Sequence, residues 1–422
     1  MPVLLRAWLG AFLLAAGAQA SAPALGLLEC YQRAREVAEG PGIAVAEWRA
    51  AEARHAQTQA ALRPGLGFLL TERLQNERER GGSVEGESNT TDLSQFDARL
   101  RAQHTLFSGF RLTRTERAAR AEASALGLEA ERTLQLLYLD VADAFYELLY
   151  RQRDLAALGD LRATLEKSAA ELEDRVRLGR SRPAELLNAR SDLAEAQVEE
   201  ETAIGLRDAA RALLAFLLDR PAEDLVVHDP SPFPSAPDSA ASLAGAGNRL
   251  DVQAAQGREE AARLREQAEQ AGRRPTLRAQ GDVFLVEEPD QEREWSLLLT
   301  LEMPLFDAGL TRARVAEGQA QTRISSLQLA ALRRRAEHEV RAATIAFLAA
   351  AAQRERLREA VAAAEENHRV QEEDYRLGRA SQLDALTALA QLHRLRRREA
   401  GAELQARASL VRLHVAAGGG AP

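Results

Sequence analysis

Two copies of one pattern lie 199 residues apart in the 422-residue chain, and no other feature restricts its fold so strongly. Leu106-Phe107-Ser108-Gly109 in the first copy answers to Leu305-Phe306-Asp307-Ala308 in the second, with Gly309 one place later than its counterpart. Val141 falls on Val340, Leu158 on Leu357, and Arg177-Leu178-Gly179-Arg180 on Arg376-Leu377-Gly378-Arg379. Upstream, Arg63-Pro64-Gly65-Leu66 answers to Arg274-Pro275-Thr276-Leu277 at a spacing of 211, so the first copy carries an insert 12 residues longer. A unit this long, present only twice, is a duplicated domain and not a solenoid.

Within each copy the period changes twice. The insert, Asn76 to Asp92, is rich in Gly, Ser, Asn and charge and reads as a surface loop; its second-copy counterpart is the shorter Glu287 to Arg293. Around each loop the period is two. Phe96 to Gln103 alternates apolar and polar without error; Leu277, Ala279, Gly281, Val283 and Leu285 alternate with Arg278, Gln280 and Asp282. Trp295, Leu297, Leu299, Leu301 and Met303 alternate with Ser296, Thr300 and Glu302, and Leu66, Phe68 and Leu70 begin the remaining strand. Such strands suit a barrel with lipid outside and water inside; two half-buried hairpins of a soluble domain fit equally well.

Each Leu-Phe element opens a long helix. On a heptad frame from Leu134, eleven of the fourteen a and d positions as far as Gly179 are apolar, a coiled-coil seam. Phe107 to Gly179 and Phe306 to Gly378 both span 72 steps, about 110 Å of helix at 1.5 Å per residue. Gly179 and Gly378 read as C-terminal glycine caps. Pro183 suits the first turn of the returning helix, which runs to about Leu218. A Pro-rich linker follows, with Pro221, Pro230, Pro232, Pro234 and Pro237, and helix resumes near Arg249 and climbs to Arg274. On this reading the 183–218 and 249–274 helices stack as the returning side. The C-terminal helix, Ser381 to about Val415, stacks under the N-terminal one, Leu27 to Leu62.

The domain plan is then a signal peptide at 1–20, a first repeat at 21–218, a linker at 219–247, a second repeat at 248–416 and a disordered tail at 417–422. The signal rests on Arg6, the apolar run Ala7 to Ala16 and the small-x-small site Ala18-Gln19-Ala20. No later segment has the roughly 20 apolar residues of a spanning helix. Cys30 is the only cysteine, which excludes an internal disulfide framework. Leu27-Leu28-Glu29-Cys30 faintly resembles a lipid-attachment box, against which stand Glu29 and its distance from the apolar run.

Net charge is −8, and one unit more negative without Arg6, which argues against nucleic acid as partner. There is no phosphate loop with lysine, no Cys-x-x-Cys and no His-Glu-x-x-His; His338-Glu339 lacks the second histidine. Met303 is the only methionine beyond Met1, so a soft-metal relay has no ligands. Asn89-Thr90-Thr91 matches a glycosylation pattern in what reads as an ordinary polar loop. The chain reads as non-catalytic, without metal or cofactor.

At these residues the chain resembles the TolC-type outer membrane factor family. The resemblance covers the whole mature chain. It rests on Glu29-Cys30-Tyr31-Gln32-Arg33-Ala34, the Arg-Pro before each strand pair, the Leu-Phe after it and the Leu-Gly-Arg turns at equal depth, all in order and in duplicate. It implies a mainly α fold with a small β part: a long coiled-coil helical barrel, and a transmembrane β-barrel to which each subunit of a homotrimer contributes four strands. It implies an export duct through outer-membrane lipid, with a periplasmic adaptor and a proton-driven or ATP-driven inner-membrane transporter as partners. Drug efflux and type I secretion stay unseparated. A periplasmic coiled-coil tether without a pore shares the helices but has no need of duplicated amphipathic strand pairs.

Two candidate sites follow from the resemblance. The turns Leu178-Gly179-Arg180-Ser181 and Leu377-Gly378-Arg379-Ala380 match the tips where adaptor hairpins dock; bare, they read as glycine-capped connections. Asp384 matches the first carboxylate of a ring at the periplasmic entrance, Thr387 stands where a second acid is found, and Tyr375 with Glu185 matches a tyrosine–carboxylate link that holds it shut. Ala380 replaces the arginine of a second link. The bare alternative for Asp384 is a helix-start carboxylate favoured by the macrodipole. Trp295 is the expected membrane-interface anchor.

Overall fold

The computed structural model describes residues 24–77, 91–233, 238–288 and 294–421. The signal peptide, most of the 76–92 insert with Asn89-Thr90, Pro234 and Pro237, and 289–293 of the shorter loop lie outside the described residues. The chain runs α1 (Leu27–Val37), α2 (Glu39–Ala60), β1 (Gly65–Glu77), β2 (Thr91–Phe107), α3 (Arg111–Arg177) and α4 (Pro183–Leu218). It continues through α5 (Ser239–Gly245), α6 (Leu250–Gln270), β3 (Thr276–Glu288), β4 (Trp295–Glu302), α7 (Leu310–Arg376) and α8 (Gln382–Ala416). The fold is mainly helical with one small antiparallel sheet.

The four strands lie in the order β1-β2-β3-β4, so the two hairpins join through β2 and β3. The alternation read from the sequence becomes level rows across the sheet. Phe68, Leu100, Val283 and Trp295 stand opposite one another, and one residue over so do Gly67, Arg101, Asp282 and Ser296. The apolar row is exposed, Trp295 by 68%, whereas Asp282 is buried under Arg101, whose Nε donates to it at 2.7 Å. A sheet that hides its ion pair and bares its leucines has the polarity of a lipid-facing strand.

The two long helices are both 67 residues, about 100 Å. Each starts in the same way. Ser108 Oγ accepts from the Leu112 amide at 3.2 Å, and Asp307, its counterpart, accepts from the Gly309 and Thr311 amides at 3.0 and 2.8 Å. Of the heptad seam, Leu137, Val141, Ala144, Leu148, Leu158, Leu165, Ala169 and Leu172 are buried. A second stripe, Tyr138, Ala142, Phe145 and Leu149, is buried as well. α3 needs both because it packs against a helix on either side, α4 and α8 below, α2 and α6 above.

That arrangement corrects the stacking expected from the sequence. α4 ends beneath α1, where Leu214 and Leu218 share one core with Cys30, Tyr31 and Phe145. α8 ends beneath α6, where Leu413 packs with Val252, and Arg249 Nη1 reaches the Ala416 carbonyl at 3.5 Å. Chain neighbours α4 and α6 thus stand in different columns, separated by α3. The linker makes the crossing as a belt. It pairs with the N-terminal segment, the Leu25 amide donating to the Val226 carbonyl at 2.8 Å, then seats Asp229 on Arg407 of α8 at 2.9 Å and Phe233 under the Arg354 guanidinium of α7. The N-terminal helix is also broken, since Ala38 is extended (φ −66, ψ 126) between α1 and α2. Residues 417–421, expected as a disordered tail, are seated instead. The Gly418 carbonyl accepts from Gln135 at 3.0 Å, the Gly420 carbonyl lies 2.9 Å from His414 Nε2, and Ala421 packs on the core.

Candidate functional site

The far ends of the two hairpins carry the candidate residues, and both are built on one backbone device. After α3, Gly179 takes φ +69; its amide donates to the Val176 carbonyl at 3.0 Å and the Arg180 amide to the Arg175 carbonyl at 2.8 Å. After α7, Gly378 takes φ +70; its amide donates to Tyr375 at 3.0 Å and the Arg379 amide to Asp374 at 2.7 Å. This pair of bonds is the Schellman closure, which needs a residue in the left-handed region and so selects glycine. It leaves Leu178 and Leu377 exposed at 64% and 57%, with no atom within 4 Å of where a glycine side chain would begin. Arg180, Ser181, Arg379 and Ala380 complete the two short turns between the hairpin arms. Each tip thus presents one exposed leucine framed by arginines, Arg177 and Arg180 in the first and Arg376 and Arg379 in the second.

The helices restart differently. Pro183 opens α4 with its fixed φ. α8 opens on a capping box: Ser381 Oγ accepts from the Asp384 amide at 3.3 Å, and Asp384 Oδ2 accepts from the Ser381 amide at 3.0 Å and from its hydroxyl at 2.6 Å. Those hydrogen bonds hold the Asp384 carboxyl below the usual range. Within one chain, then, Asp384 does the work of a helix-start carboxylate while its charge stays exposed. Thr387 lies one turn on, at the edge of the groove between α4 and α8.

Tyr375 and Glu185 are not brought together. The Tyr375 hydroxyl donates to Gln382 Oε1 at 2.6 Å and accepts from Arg175 Nη1, whose guanidinium also lies over the ring at 5.1 Å from its centre. Glu185 pairs with Arg182, one turn back, at 3.3 Å. Its influence on Tyr375 is electrostatic only: partial burial pushes the phenol up, Arg175 opposes, and Glu171 and Glu185 add to the rise. The tie at the tip is therefore Arg175–Tyr375–Gln382, joining α3 to both arms of the second hairpin. Arg175 and Gln382 escaped the sequence reading, although Arg175 sits 200 residues before Tyr375, one step off the repeat spacing.

Cys30 is wholly buried inside α1, and burial first, with Glu29 second, pushes its thiol up to about 12. That leaves no exposed thiol for lipid attachment. Among the described residues no group of His, Cys, Asp and Glu could hold a metal ion, and no helix is long and apolar enough to cross a membrane.

The family model for outer membrane efflux proteins matches residues 34–220 and 244–419. Among solved structures, a membrane protein from Pseudomonas aeruginosa is similar at a TM-score of 0.81 and 21% identity, over 93% of this chain and 90% of that one. The outer membrane protein VceC from Vibrio cholerae is similar at 0.78 and 20%, over 93% and 96%. The Neisseria gonorrhoeae MtrE outer membrane channel, in its open state, is similar at 0.76 and 20%, over 93% and 89%. None of the curated protein sequences compared with the chain matches it.

Proposed function

The chain belongs to the outer membrane efflux protein family, and from that premise we propose that three copies form a passive duct through outer membrane and periplasm. In this duct the four strands of each subunit supply a third of a twelve-stranded barrel. The helices form a tunnel, and the glycine-capped tips meet a periplasmic adaptor that connects to an inner-membrane transporter. The observation that carries the reading is an open-sided subunit with lipid-type polarity. Four strands cannot close a spanning barrel, since the smallest known have eight, and β1 and β4 each have one neighbour. The helical wall is open too. α4 packs on α3 and leaves Val198 and Phe216 exposed, while α7 at the other side leaves Ile324 and Ile345 exposed. Copies set side by side would cover both edges.

On this reading Trp295, exposed at the loop end of β4, anchors the barrel at the membrane interface. Asp384 lies on the lumen side of the entrance, where three copies place negative charge around one axis. Energy and cargo choice belong to the transporter, which serves efflux or type I secretion equally.

Purified protein is expected to be trimeric in detergent and to raise bilayer conductance. Asp384→Asn is expected to lower cation selectivity at unchanged trimer yield, because a charged ring at a low-dielectric constriction concentrates counter-ions. A stable water-soluble monomer would overturn the duct and favour the tether.

A further inference from the structure

Behind the Arg175–Tyr375 bond at the tip, the two periplasmic hairpins touch mainly through α3 against α8. Beside that line α4 and α8 face each other across an open groove of about 340 Å³, floored by Leu161 and Leu165 of α3. One side chain spans it. Arg397 of α8 donates from Nε to Asp154 of α3 at 2.6 Å and from Nη1 to Glu199 of α4 at 2.6 Å. Asp154 is 6% exposed, so the α3 end of this tie is buried far behind the tip and removing Arg397 would strand its charge, while the Glu199 end stays open to water.

His393 sits one turn below Arg397 on the same side of α8 and is buried against the groove. From α3 it faces Asp160; from α7, His368, whose Nδ1 is buried without a partner; from its own helix, Arg396 and Arg397. Across the groove α4 presents Asp192, Glu195 and Glu199, and Arg394 of α8 lines the same space. Arg396 itself is engaged by Glu365 of α7 at 2.7 Å.

We propose that the α3–α4–α8 seam, tied by Arg397 to Asp154 and Glu199, is an acid-sensitive latch between the two hairpins, with His393 as the group that releases it. Burial first and then the Arg396 field hold the ring below its ordinary value, with Asp160 opposing and His368 and Arg397 adding to the lowering. A histidine depressed by closure is neutral in the closed seam. It favours closure above its free value of about 6.5. That contribution is lost as pH falls below 6.5 through the lowered value. A proton on His393 must then be accommodated in a buried place beside two guanidiniums, and opening the groove to water relieves it. The consequence for transport rests on the duct reading; the latch itself lies within one subunit.

Spin labels at Ser191 of α4 and Gln391 of α8 in the full chain, in detergent, report the width of the groove. The expected result is a longer distance population at about pH 5.5 than at about pH 7.5. The open-to-closed ratio should rise by up to about tenfold for each unit by which closure depresses the ring. His393→Leu, or His393→Gln should the first fold poorly, is expected to keep the short distance at both values. His368→Gln keeps the response, and Arg397→Met shows the long distance already at the higher pH. A pH-independent distance in the unaltered protein, or a response surviving in both His393 variants, overturns the latch. Because the distance is read without a conductance assay, a responding groove in protein that forms no pores would sink the duct and leave the latch standing.

Discussion

The turn after α3 and the turn after α7 close with the same two hydrogen bonds on a glycine at φ +69 and +70, yet the next helix begins on a covalent restraint in one and on side-chain hydrogen bonds in the other. Pro183 costs nothing at the first position of α4, where an amide would lack a partner in any case. Ser381 and Asp384 satisfy the amides at the start of α8 themselves, and in doing so tie the carboxylate into the cap, whereas Glu185 in the first turn of α4 pairs with Arg182 instead. The shared closure keeps both hairpins at one depth. The unshared restart builds a carboxylate into the helix cap of the second tip only.

Breaking the shared part should have the largest effect. Gly179→Val and Gly378→Val force a β-branched residue into the left-handed region, at about 1–2 kcal/mol each. Export is expected to fail in the double variant while trimers still reach the outer membrane, since neither glycine touches the sheet; normal export in an efflux or secretion assay would show that tip geometry is dispensable. Next comes the tie that only the second hairpin reaches back to make. Tyr375→Phe removes the hydroxyl that bridges Arg175 and Gln382, and single-channel recording should show a raised open fraction. Glu185→Ala, which leaves that bridge intact, should change the open fraction little; equal effects would restore a tyrosine–glutamate link.

The smallest effect sharpens the difference in restart. Ser381→Ala removes a capping side chain, at about 1 kcal/mol, whereas Pro183→Ala acts on the unfolded chain at about 0.5 kcal/mol. The two also part in pH dependence. The Asp384 carboxyl is depressed in the folded state, so its contribution is full above the ordinary carboxylate range and is lost as pH falls through its lowered value. Hydrogen exchange of the first turns of α4 and α8 is expected to show α8 alone loosening in acid, and Ser381→Ala is expected to abolish that difference.

By itself the sequence determined whatever depends on residues a few positions apart: two helices of equal length, their glycine closures, the proline start of α4 and the apolar and polar faces of the strands. The helix lengths and glycine closures are local preferences repeated 199 residues on, so they could be read twice and checked against themselves, while the proline start of α4 rests on Pro183 alone. The tertiary structure alone decided which helices share a column, because the belt from Leu225 to Phe233 carries the chain across α3 instead of folding it straight back. It also decided the partners of Tyr375, the Arg397 tie and the seating of residues 417–421. The Arg397–Asp154 and Arg175–Tyr375 contacts join positions 243 and 200 apart. At such separations no periodicity or cap constrains the choice. The partner is whatever the packing of the columns brings within hydrogen-bond reach.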